Sequence, residues 1–342
     1  MNPSVAIVIL NYNGRKYLEQ FLPSVLNSTY GNKRIIVADN CSTDNSIEFL
    51  HQHFPQVEIL INTENLGFAG GYNWALGEVQ SDYYVLLNSD VEVVADWIEP
   101  AIELLESNKQ IAAVQSKILS FHKKDEFEYA GACGGWIDRY GYPFSRGRIF
   151  DHCEKDTHQH ETVQEVFWVT GAAMFIRSNV FHELNGFDEN FFAHMEEIDL
   201  CWRIQLAGYK LMVQPKSVVY HVGGGTLPIS PRKLYLNHRN NVIMMYKNLP
   251  LREKIWKMPI RLALNDVAAL RELSMGHFGN FKAIIKAELH ALAWIFGSKA
   301  KKKKHKLKKL PMRKLKGFYD GSVVWDYFVM KRRLFEEIVT GK

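Results

Sequence analysis

SVAIVILNYNG (4–14) decides the fold, because a continuous run of β-branched and apolar residues ends there in a polar turn. Four further apolar runs follow it: KRIIVA (33–38), VEILI (57–61), YYVLLN (83–88) and IAAVQ (111–115). Helix-like segments separate them, near residues 15–28, 43–53, 70–80 and 96–107. Strands that are apolar on both faces and alternate with helices predict an α/β fold with a mostly parallel sheet and helices on both faces.

Polar residues stand at the ends of three of these predicted strands. Asn11 to Asn13 follow the first strand, Asp39 follows the second, and Asp90 comes just after the fourth. In open α/β sheets, ligands bind beyond the carboxyl ends of the strands. The sequence therefore predicts a binding site at this edge of the sheet.

Charge is distributed unevenly along the 342 residues. The formal net charge is +5, but residues 299–316 hold ten Lys, one Arg and no acid, whereas residues 1–298 carry −6. An acidic body disfavours nucleic acid as a partner. The four cysteines form no CxxC pair, which fits reduced thiols in a cytosolic protein. We expect neither a signal peptide nor a spanning helix, since no run reaches ~18 apolar residues.

The rest of the chain is less regular. We expect a β-hairpin around Gly131 to Pro143, an apolar strand over 166–176, and two short strands that end at His221. From about residue 231 the pattern is helical. The predicted units are a catalytic domain over 1–230 with halves 1–120 and 121–230, a helical extension over 231–298, a polybasic segment over 299–316 and a C-terminal helix over 317–342.

Seven segments, in this order, resemble the family 2 glycosyltransferases of the GT-A fold: VAIVILNYNG, VADNCSTDNS, ENLGFAGGYN, VLLNSDVEV, TGAAMFIR, GFDENFFAHMEEIDLCWR and VVYHVGGGT. The likeness covers about residues 4–245 and is greatest to the rhamnosyltransferase-like branch of bacterial surface-polysaccharide synthesis. It implies an inverting transfer of a sugar from a nucleoside diphosphate, dTDP-rhamnose or a UDP-sugar, to a hydroxyl of a glycan or lipid-linked glycan acceptor.

The resemblance also implies the residues that bind the nucleotide-sugar donor. Asp39 would accept the ring N–H of the base, and Asn11 and Asn13 would line the same pocket. The glycine-rich turn with Asn65, Gly70 and Asn73 would lie near the nucleotide. A glycine-rich turn at a helix start also suits an anion, although such a turn taken alone is usually only a loop.

Asn88-Ser89-Asp90 stands where the family has its metal-binding DxD motif. The resemblance implies that Asp90 binds Mg²⁺ or Mn²⁺ and that Asn88 contacts the ribose or a metal-bound water. His221 would complete the metal site, and imidazole suits Mn²⁺ as well as Mg²⁺. The alternative is a plain strand-end turn and a structural histidine.

An acidic cluster of Glu196, Glu197 and Asp199 opens a predicted helix. Acids there stabilise the helix end, which is the simpler interpretation. Inverting transfer needs one base to remove the proton of the acceptor hydroxyl. The resemblance implies Glu197 as that base, in place of the more frequent Asp, with Asp199 as the second candidate.

The polybasic segment follows a predicted amphipathic helix over 281–296. An apolar helix face beside a basic run predicts an anionic membrane surface as partner through 281–316, on the cytoplasmic side. The alternative is a solvated linker.

Two other functions stay open from the sequence. Asn88 and Glu197 depart from the family pattern, which leaves a catalytically impaired nucleotide-sugar-binding module. A nucleotidyltransferase shares this kind of sheet, but Asn11-Tyr12-Asn13-Gly14 is not the basic glycine-rich loop that it needs.

Overall fold

The computed structural model describes residues 2–223, 230–297 and 307–341. The first third of the chain alternates strands and helices as the sequence predicts. Its elements are β1 (Val5–Asn11), α1 (Arg15–Leu26), β2 (Lys33–Asp39), α2 (Ser46–His53), β3 (Glu58–Ile61), α3 (Gly67–Glu78), β4 (Tyr83–Asn88), β5 (Val91–Val93), α4 (Ile98–Ser107) and β6 (Ile111–Ser120).

The middle of the chain contains short strands and two helices. These elements are β7 (Gly135–Asp138), β8 (Pro143–Ser145), β9 (Arg148–Ile149), β10 (His152–Cys153), β11 (Gln164–Glu165), β12 (Ala173–Arg177), α5 (Ser178–Glu183), a 3₁₀ turn (Glu189–Phe191), α6 (Glu196–Leu206) and β13 (Lys210–His221). The predicted strand over 166–176 is therefore shorter than expected. The two strands predicted before His221 form one strand, with a register shift between Gln214 and Val218.

The remaining elements are mainly helical. They are α7 (Pro231–Asn248), α8 (Leu251–Ser274), α9 (Phe278–Phe296), a 3₁₀ turn (Met312–Lys314), β14 (Phe318–Tyr319), α10 (Val323–Phe328) and α11 (Phe335–Val339). Among the described residues, no helix combines the length and the apolarity needed to cross a membrane.

The large sheet has the strand order β11-β13-β6-β12-β4-β1-β2-β3, and β5 pairs with β13. Strand β1 runs parallel to β2 and β4, whereas β12 runs antiparallel between β4 and β6. Alternate residues of β1 are buried on opposite faces: Ala6 and Val8 join one core cluster, and Ile7 and Ile9 join the other. The carboxyl ends of β1, β2 and β4 thus lie at one edge, as the apolar runs predict.

A second sheet has the order β10-β9-β8-β7-β14 and contains the predicted hairpin as β7 and β8. Its last strand corrects the prediction of one helix over 317–342. Gly317 has a φ of 67°, and a Cβ there would lie 2.2 Å from the Phe167 backbone nitrogen. This close approach lets β14 pair with β7, so the C-terminal segment folds onto the middle of the chain.

The polybasic segment is only partly described. Residues 298–306, which hold six of the eleven basic residues of the predicted segment, lie outside the described ranges. Within 307–316, Met312 and Leu315 are buried. The second part of the predicted segment is therefore packed against the body, because its apolar residues enter the core.

Helix α9 also differs from its prediction. It buries Ala283, Ile284, Ala287, Ala291 and Trp294. The predicted face included Leu289 and Phe296, which are 61% and 81% exposed. Alanine side chains on the buried side allow α9 to pack closely on α7. This close packing outweighs the burial of larger apolar side chains such as Leu289 and Phe296, which were predicted to face the body.

Candidate active site

Two loops meet beyond β1 and β2 and are joined by side-chain hydrogen bonds. The Asn11 amide donates to Asp39 Oδ1 at 2.9 Å, and Asp39 Oδ2 accepts the Ser42 N–H at 2.9 Å. Asn13 has a φ of 53°, and its side-chain oxygen accepts the Thr43 N–H at 2.7 Å. The structure therefore brings Asn11, Asn13 and Asp39 together.

One acceptor in this cluster is unused. Asn11 Oδ1 is buried and has no hydrogen-bond partner among the described residues. A Cβ at Gly14 would lie 2.4 Å from this oxygen and 3.4 Å from Ser89 Oγ, so the absence of a side chain at Gly14 keeps the space open. Leaving a buried acceptor unsatisfied is costly. The oxygen is thus available to a donor group of a ligand, next to the turn that carries Asn88 and Asp90.

The glycine-rich turn makes hydrogen bonds within the protein. The N–H groups of Phe68 and Ala69, at the start of α3, donate to the Phe192 carbonyl at 2.7 and 3.1 Å. A backbone carbonyl therefore takes the place predicted for an anion. Asn65 Oδ1 accepts the Gly67 N–H at 2.9 Å, which shapes the turn itself.

Gly70 and Asn73 likewise serve packing. A Cβ at Gly70 would lie 2.8 Å from Leu66 Cβ. Asn73 accepts the Phe187 N–H and donates to the Phe187 carbonyl, both at 2.9 Å. Its amide is thus used to hold the turn that precedes the acidic cluster, and no donor group of Asn73 is left for a nucleotide. These contacts give Asn65, Gly70 and Asn73 a structural role, and their contact with the donor stays a prediction.

Asn88, Asp90 and His221 come together through strand pairing. The end of β13 pairs antiparallel with β5, so that His221 stands opposite Val91. Asp90 Oδ1 then lies 3.2 Å from His221 Nε2, and the Asn88 amide nitrogen lies 3.5 Å from the same ring nitrogen. The three predicted residues therefore face one point.

Glu128 is a member of this cluster that sequence reasoning missed. Its Oε2 lies 2.8 Å from His221 Nδ1. A carboxylate on one ring nitrogen fixes the tautomer and directs the lone pair of the other nitrogen outward. Glu128 lies in the irregular region 121–165, where no periodic pattern marks it. Only the fold brings it to the histidine.

The cluster has donor atoms that fit a divalent cation. Asp90 Oδ1 is buried and contacts His221 Nε2 at 3.2 Å. Burial acts to lower the pKa of His221, but hydrogen bonds and charge from Asp90 and Glu128 outweigh it and raise the pKa to about 10. A proton on His221 Nε2, or a cation bound in its place, would interact favourably with the negative charge of the Asp90 carboxylate. One carboxylate oxygen and one imidazole nitrogen suit Mg²⁺ or Mn²⁺ that also binds phosphate.

Glu196 and Glu197 begin helix α6, and each has a carboxyl oxygen without a hydrogen-bond partner among the described residues. Glu197 is half-buried, and its burial raises the pKa of its carboxyl to about 7. Burial and the nearby Glu197 charge raise the pKa of Glu196 well above its usual range. Glu197 can therefore gain or lose a proton near neutral pH.

Asp199 lies in a different environment although it is only two residues further along. Its carboxylate contacts Arg203 Nε at 2.9 Å and Lys247 Nζ at 3.0 Å, and it accepts the Asn248 amide at 2.8 Å. Burial opposes its ionisation, but the charges of Lys247 and Arg203 outweigh burial and hold the pKa of Asp199 below its usual range. Its place in this ion-pair cluster favours a structural role for Asp199 and supports Glu197 as the first candidate base.

The turn before α6 is strained. Phe192, His194 and Met195 have φ values of 64°, 68° and 72°, although none is glycine. Such conformations cost roughly 1–3 kcal/mol each and persist only where their surroundings impose them. The buried Asn240 of α7 imposes this turn, because its amide lies 2.8–2.9 Å from three of the turn's carbonyl oxygens. Helix α7 therefore positions the acidic pair, which the sequence does not predict.

Comparison with known proteins agrees with this architecture. Residues 6–184 match the family model described as glycosyl transferase family 2, and this span is more than half of the chain. The chain belongs to glycosyl transferase family 2. The family predicted from the seven segments is thus confirmed.

Characterised relatives within the family include rhamnosyltransferases. The chain is 25% identical over 290 residues to the N-acetylglucosaminyl-diphospho-decaprenol L-rhamnosyltransferase of Mycobacterium tuberculosis, covering 79% of this chain and 92% of the relative. It is 27% identical over 224 residues to the rhamnosyltransferase WbbL of Escherichia coli, covering 64% of this chain and 83% of the relative. These relatives agree with the predicted rhamnosyltransferase-like branch.

Solved structures of similar fold are glycosyltransferases. GalNAc-T7 with UDP, GalNAc and Mn²⁺ matches with a TM-score of 0.59 at 16% identity, covering 85% of this chain and 57% of the other. The mannosyltransferase PcManGT of Pyrobaculum calidifontis, with GDP-Man and Mn²⁺, matches with a TM-score of 0.53 at 14% identity, covering 87% and 89%. At this identity the likeness shows the fold, and it confirms the predicted GT-A class.

Proposed function

We propose that this glycosyltransferase transfers a sugar, with inversion, from dTDP-rhamnose or a UDP-sugar to a hydroxyl of a glycan or lipid-linked glycan. Two features carry the proposal: Asp90 Oδ1 faces His221, and Glu197 Oε2 has no hydrogen-bond partner among the described residues. Family membership and the names of the two rhamnosyltransferases support the choice of donor and acceptor.

In the proposed mechanism, the donor nucleotide binds beyond β1 and β2. Asp39 accepts the ring N–H of the base with the lone pairs that Asn11 and Ser42 leave free, and Asn11 Oδ1 accepts a further donor group. Asn13 keeps the two loops together. Residues 1–120 form the nucleotide-sugar half in this proposal, and residues 121–230 form the acceptor half.

Asp90 and His221 would hold Mg²⁺ or Mn²⁺ against the diphosphate, with Asn88 beside them. The cation, when bound, stabilises the charge that develops on the leaving diphosphate, as a Lewis acid does. Glu128 keeps His221 in the orientation that this requires. Mn²⁺ in the two structural neighbours supports a divalent metal here.

Glu197 acts as the base. Its carboxylate takes the proton of the acceptor hydroxyl while the hydroxyl oxygen bonds to the anomeric carbon. The bond from that carbon to the diphosphate oxygen breaks on the opposite side, so the configuration inverts. A pKa near neutrality suits this step, because the group can accept a proton at physiological pH and release it afterwards.

The test is release of nucleoside diphosphate from a panel of nucleotide sugars, with purified protein, metal and a lipid-linked glycan acceptor. We expect release with one donor class and loss of release on chelation. Nucleotide binding without turnover would instead support a catalytically impaired module. Release of pyrophosphate from a nucleoside triphosphate would support a nucleotidyltransferase.

We also propose that the enzyme works as a peripheral protein at the cytoplasmic face of an anionic membrane. The decaprenol in the name of the M. tuberculosis relative supports a lipid-linked acceptor. The lysine-rich stretch 299–316 supports attraction to anionic lipid. The helical extension over 231–298 would then lie on the membrane side of the enzyme.

A further inference from the structure

Helix α8 faces the body of the protein with its polar side. Lys257, Arg261 and Asn265 are buried, with exposed fractions of 2%, 3% and 0%. Five large apolar side chains of the same helix are exposed, by 68%, 42%, 37%, 62% and 59% respectively: Ile255, Trp256, Ile260, Val267 and Leu270. We call these five residues the outer α8 face. Its polarity is the reverse of an ordinary surface helix, which buries its apolar stripe.

Specific polar contacts fix this orientation. Arg261 Nε donates to Asn241 Oδ1 at 2.8 Å, and its guanidinium lies 3.7 Å from the centre of the Tyr142 ring. Asn265 Oδ1 lies 2.9 Å from a ring nitrogen of His238. Helix α8 cannot rotate its apolar side inward without leaving these buried polar groups unpaired, which is costly.

A second apolar patch adjoins the C-terminal end of α8. Trp325, Phe328, Val329 and Met330 are exposed, and the Arg271 guanidinium of α8 lies 5.6 Å from the Phe328 ring centre. The basic run Lys331-Arg332-Arg333 follows directly. Apolar and aromatic side chains beside basic ones are typical of surfaces that bind at a lipid interface.

The net charge of the surrounding segment indicates which kind of partner covers these apolar residues. Residues 1–248 carry a net charge of −9, whereas residues 249–342 carry +14. A second copy docked symmetrically through the same face would bring two strongly basic segments together, and like charges oppose such contact. An anionic lipid surface is instead complementary to this segment.

We propose that the outer α8 face and the patch at Trp325 to Met330 insert into the headgroup region of an anionic bilayer. This rests on the proposed membrane location, but it concerns which surface makes the contact. We therefore assign the apolar membrane contact to α8 instead of the predicted helix over 281–296. The structure describes every residue of the two proposed apolar surfaces. Large exposed apolar patches of this kind mark interaction sites.

The experiment compares the wild type with the double variant Val267→Glu/Leu270→Glu. The matched control is Gln20→Glu/Gln56→Glu, which changes the charge equally at exposed positions of the acidic body. Each protein is sedimented with vesicles of phosphatidylglycerol and phosphatidylcholine in equal parts, and with phosphatidylcholine alone. Circular dichroism monitors folding. Quenching of tryptophan fluorescence by brominated lipid, in wild type and Trp256→Phe, reports insertion independently of the charged variants.

We expect the wild type to bind the anionic vesicles, the double variant to lose at least tenfold in affinity, and the control to stay within twofold. Brominated lipid should quench wild-type fluorescence more than that of Trp256→Phe. Equal binding by the double variant and the wild type would overturn the choice of surface while the membrane location stands. No binding by the wild type would overturn both. A wild-type dimer that the double variant dissociates, with vesicle binding unchanged, would show that a second copy occupies the face.

Discussion

The first turn of helix α6 carries acids in two opposite electrostatic states. Glu197 has a carboxyl oxygen without a partner and a pKa raised by burial to about 7. Asp199, two residues later, is surrounded by Arg203, Lys247 and Asn248, and its pKa is below the usual range. The same short sequence thus supplies one acid that can exchange a proton and one that holds the helix in place.

The difference is set largely by helix α7, which adds its contacts to the Arg203–Asp199 ion pair within α6. Lys247 and Asn248 of α7 reach Asp199, while Asn240 of α7 holds the strained turn in front of Glu197. A paired buried carboxylate cannot take up a proton without breaking its ion pairs, whereas an unpaired one can. We therefore expect substitutions at the two positions to separate activity from stability.

Replacing Glu197 gives the largest expected effect. Glu197→Gln should lower kcat by roughly 10²–10⁴-fold, which is the usual contribution of a general base. The melting temperature at pH 8 should equal or exceed that of the wild type, because the variant removes a buried charge. Nucleoside diphosphate release gives the rate, and Glu196→Gln, which changes the neighbouring acid, is the control that should stay within about tenfold. A Glu197→Gln enzyme with more than half of wild-type activity would exclude Glu197 as the base.

Replacing Asp199 should act mainly on stability. Asp199→Asn leaves the buried Arg203 without its carboxylate partner, whereas Lys247 keeps Asp188 at 2.7 Å, so the free energy of unfolding should fall by about 3–5 kcal/mol. Urea denaturation measures this loss, and the exposed Asp96→Asn is the control that should change it by less than about 0.5 kcal/mol. Because the pKa of Asp199 is lowered on folding, its stabilisation is present above ~4 and is lost as the pH falls through the folded pKa. Unchanged stability with lost activity would reverse the roles given to the two acids.

The buried acids near His221 extend the comparison. Asp90 Oδ1 lies 3.2 Å from Nε2 of the histidine, whereas Glu128 Oε2 lies 2.8 Å from Nδ1. We expect Glu128→Gln to weaken Mn²⁺ binding by about 10–100-fold, as loss of a partner of a metal ligand does. Electron paramagnetic resonance of free Mn²⁺ measures the affinity directly, and Asp125→Asn, at an exposed neighbour, is the control. An unchanged Mn²⁺ affinity would mean that Glu128 does not orient His221 for a metal.

The N-terminal half was predictable because its signal is local. Apolar runs such as 4–10 and 83–88 form buried strands wherever they lie, and polar residues at their ends must meet at one edge. The C-terminal segment was not predictable, because its form depends on tertiary contacts. Gly317 approaches the backbone of Phe167, which is distant in sequence, and this contact makes a strand where a helix was expected.

The residues of the candidate site were likewise predictable only where their signal is local. Asn11, Asn13 and Asp39 follow paired strands, so the sequence could place them together. Glu128 and Asn240 act through long-range contacts, and no periodic pattern marks either residue. The contacts of the glycine-rich turn were not predictable for the same reason: the N–H groups of Phe68 and Ala69 donate to the Phe192 carbonyl, which is distant in sequence.

The pH dependence of kcat tests the central claim most directly, because it reports the proton acceptor in the working enzyme. Glu197 accepts a proton only when it is ionised, so below its pKa of about 7 the rate should fall roughly tenfold per pH unit, and above it the rate should level off. The assay is nucleoside diphosphate release at saturating donor and acceptor between pH 5.5 and 9. A rate that stays constant between about pH 5.5 and 8, as expected for an ordinary carboxyl with a pKa of about 4.3, would contradict the assignment of Glu197.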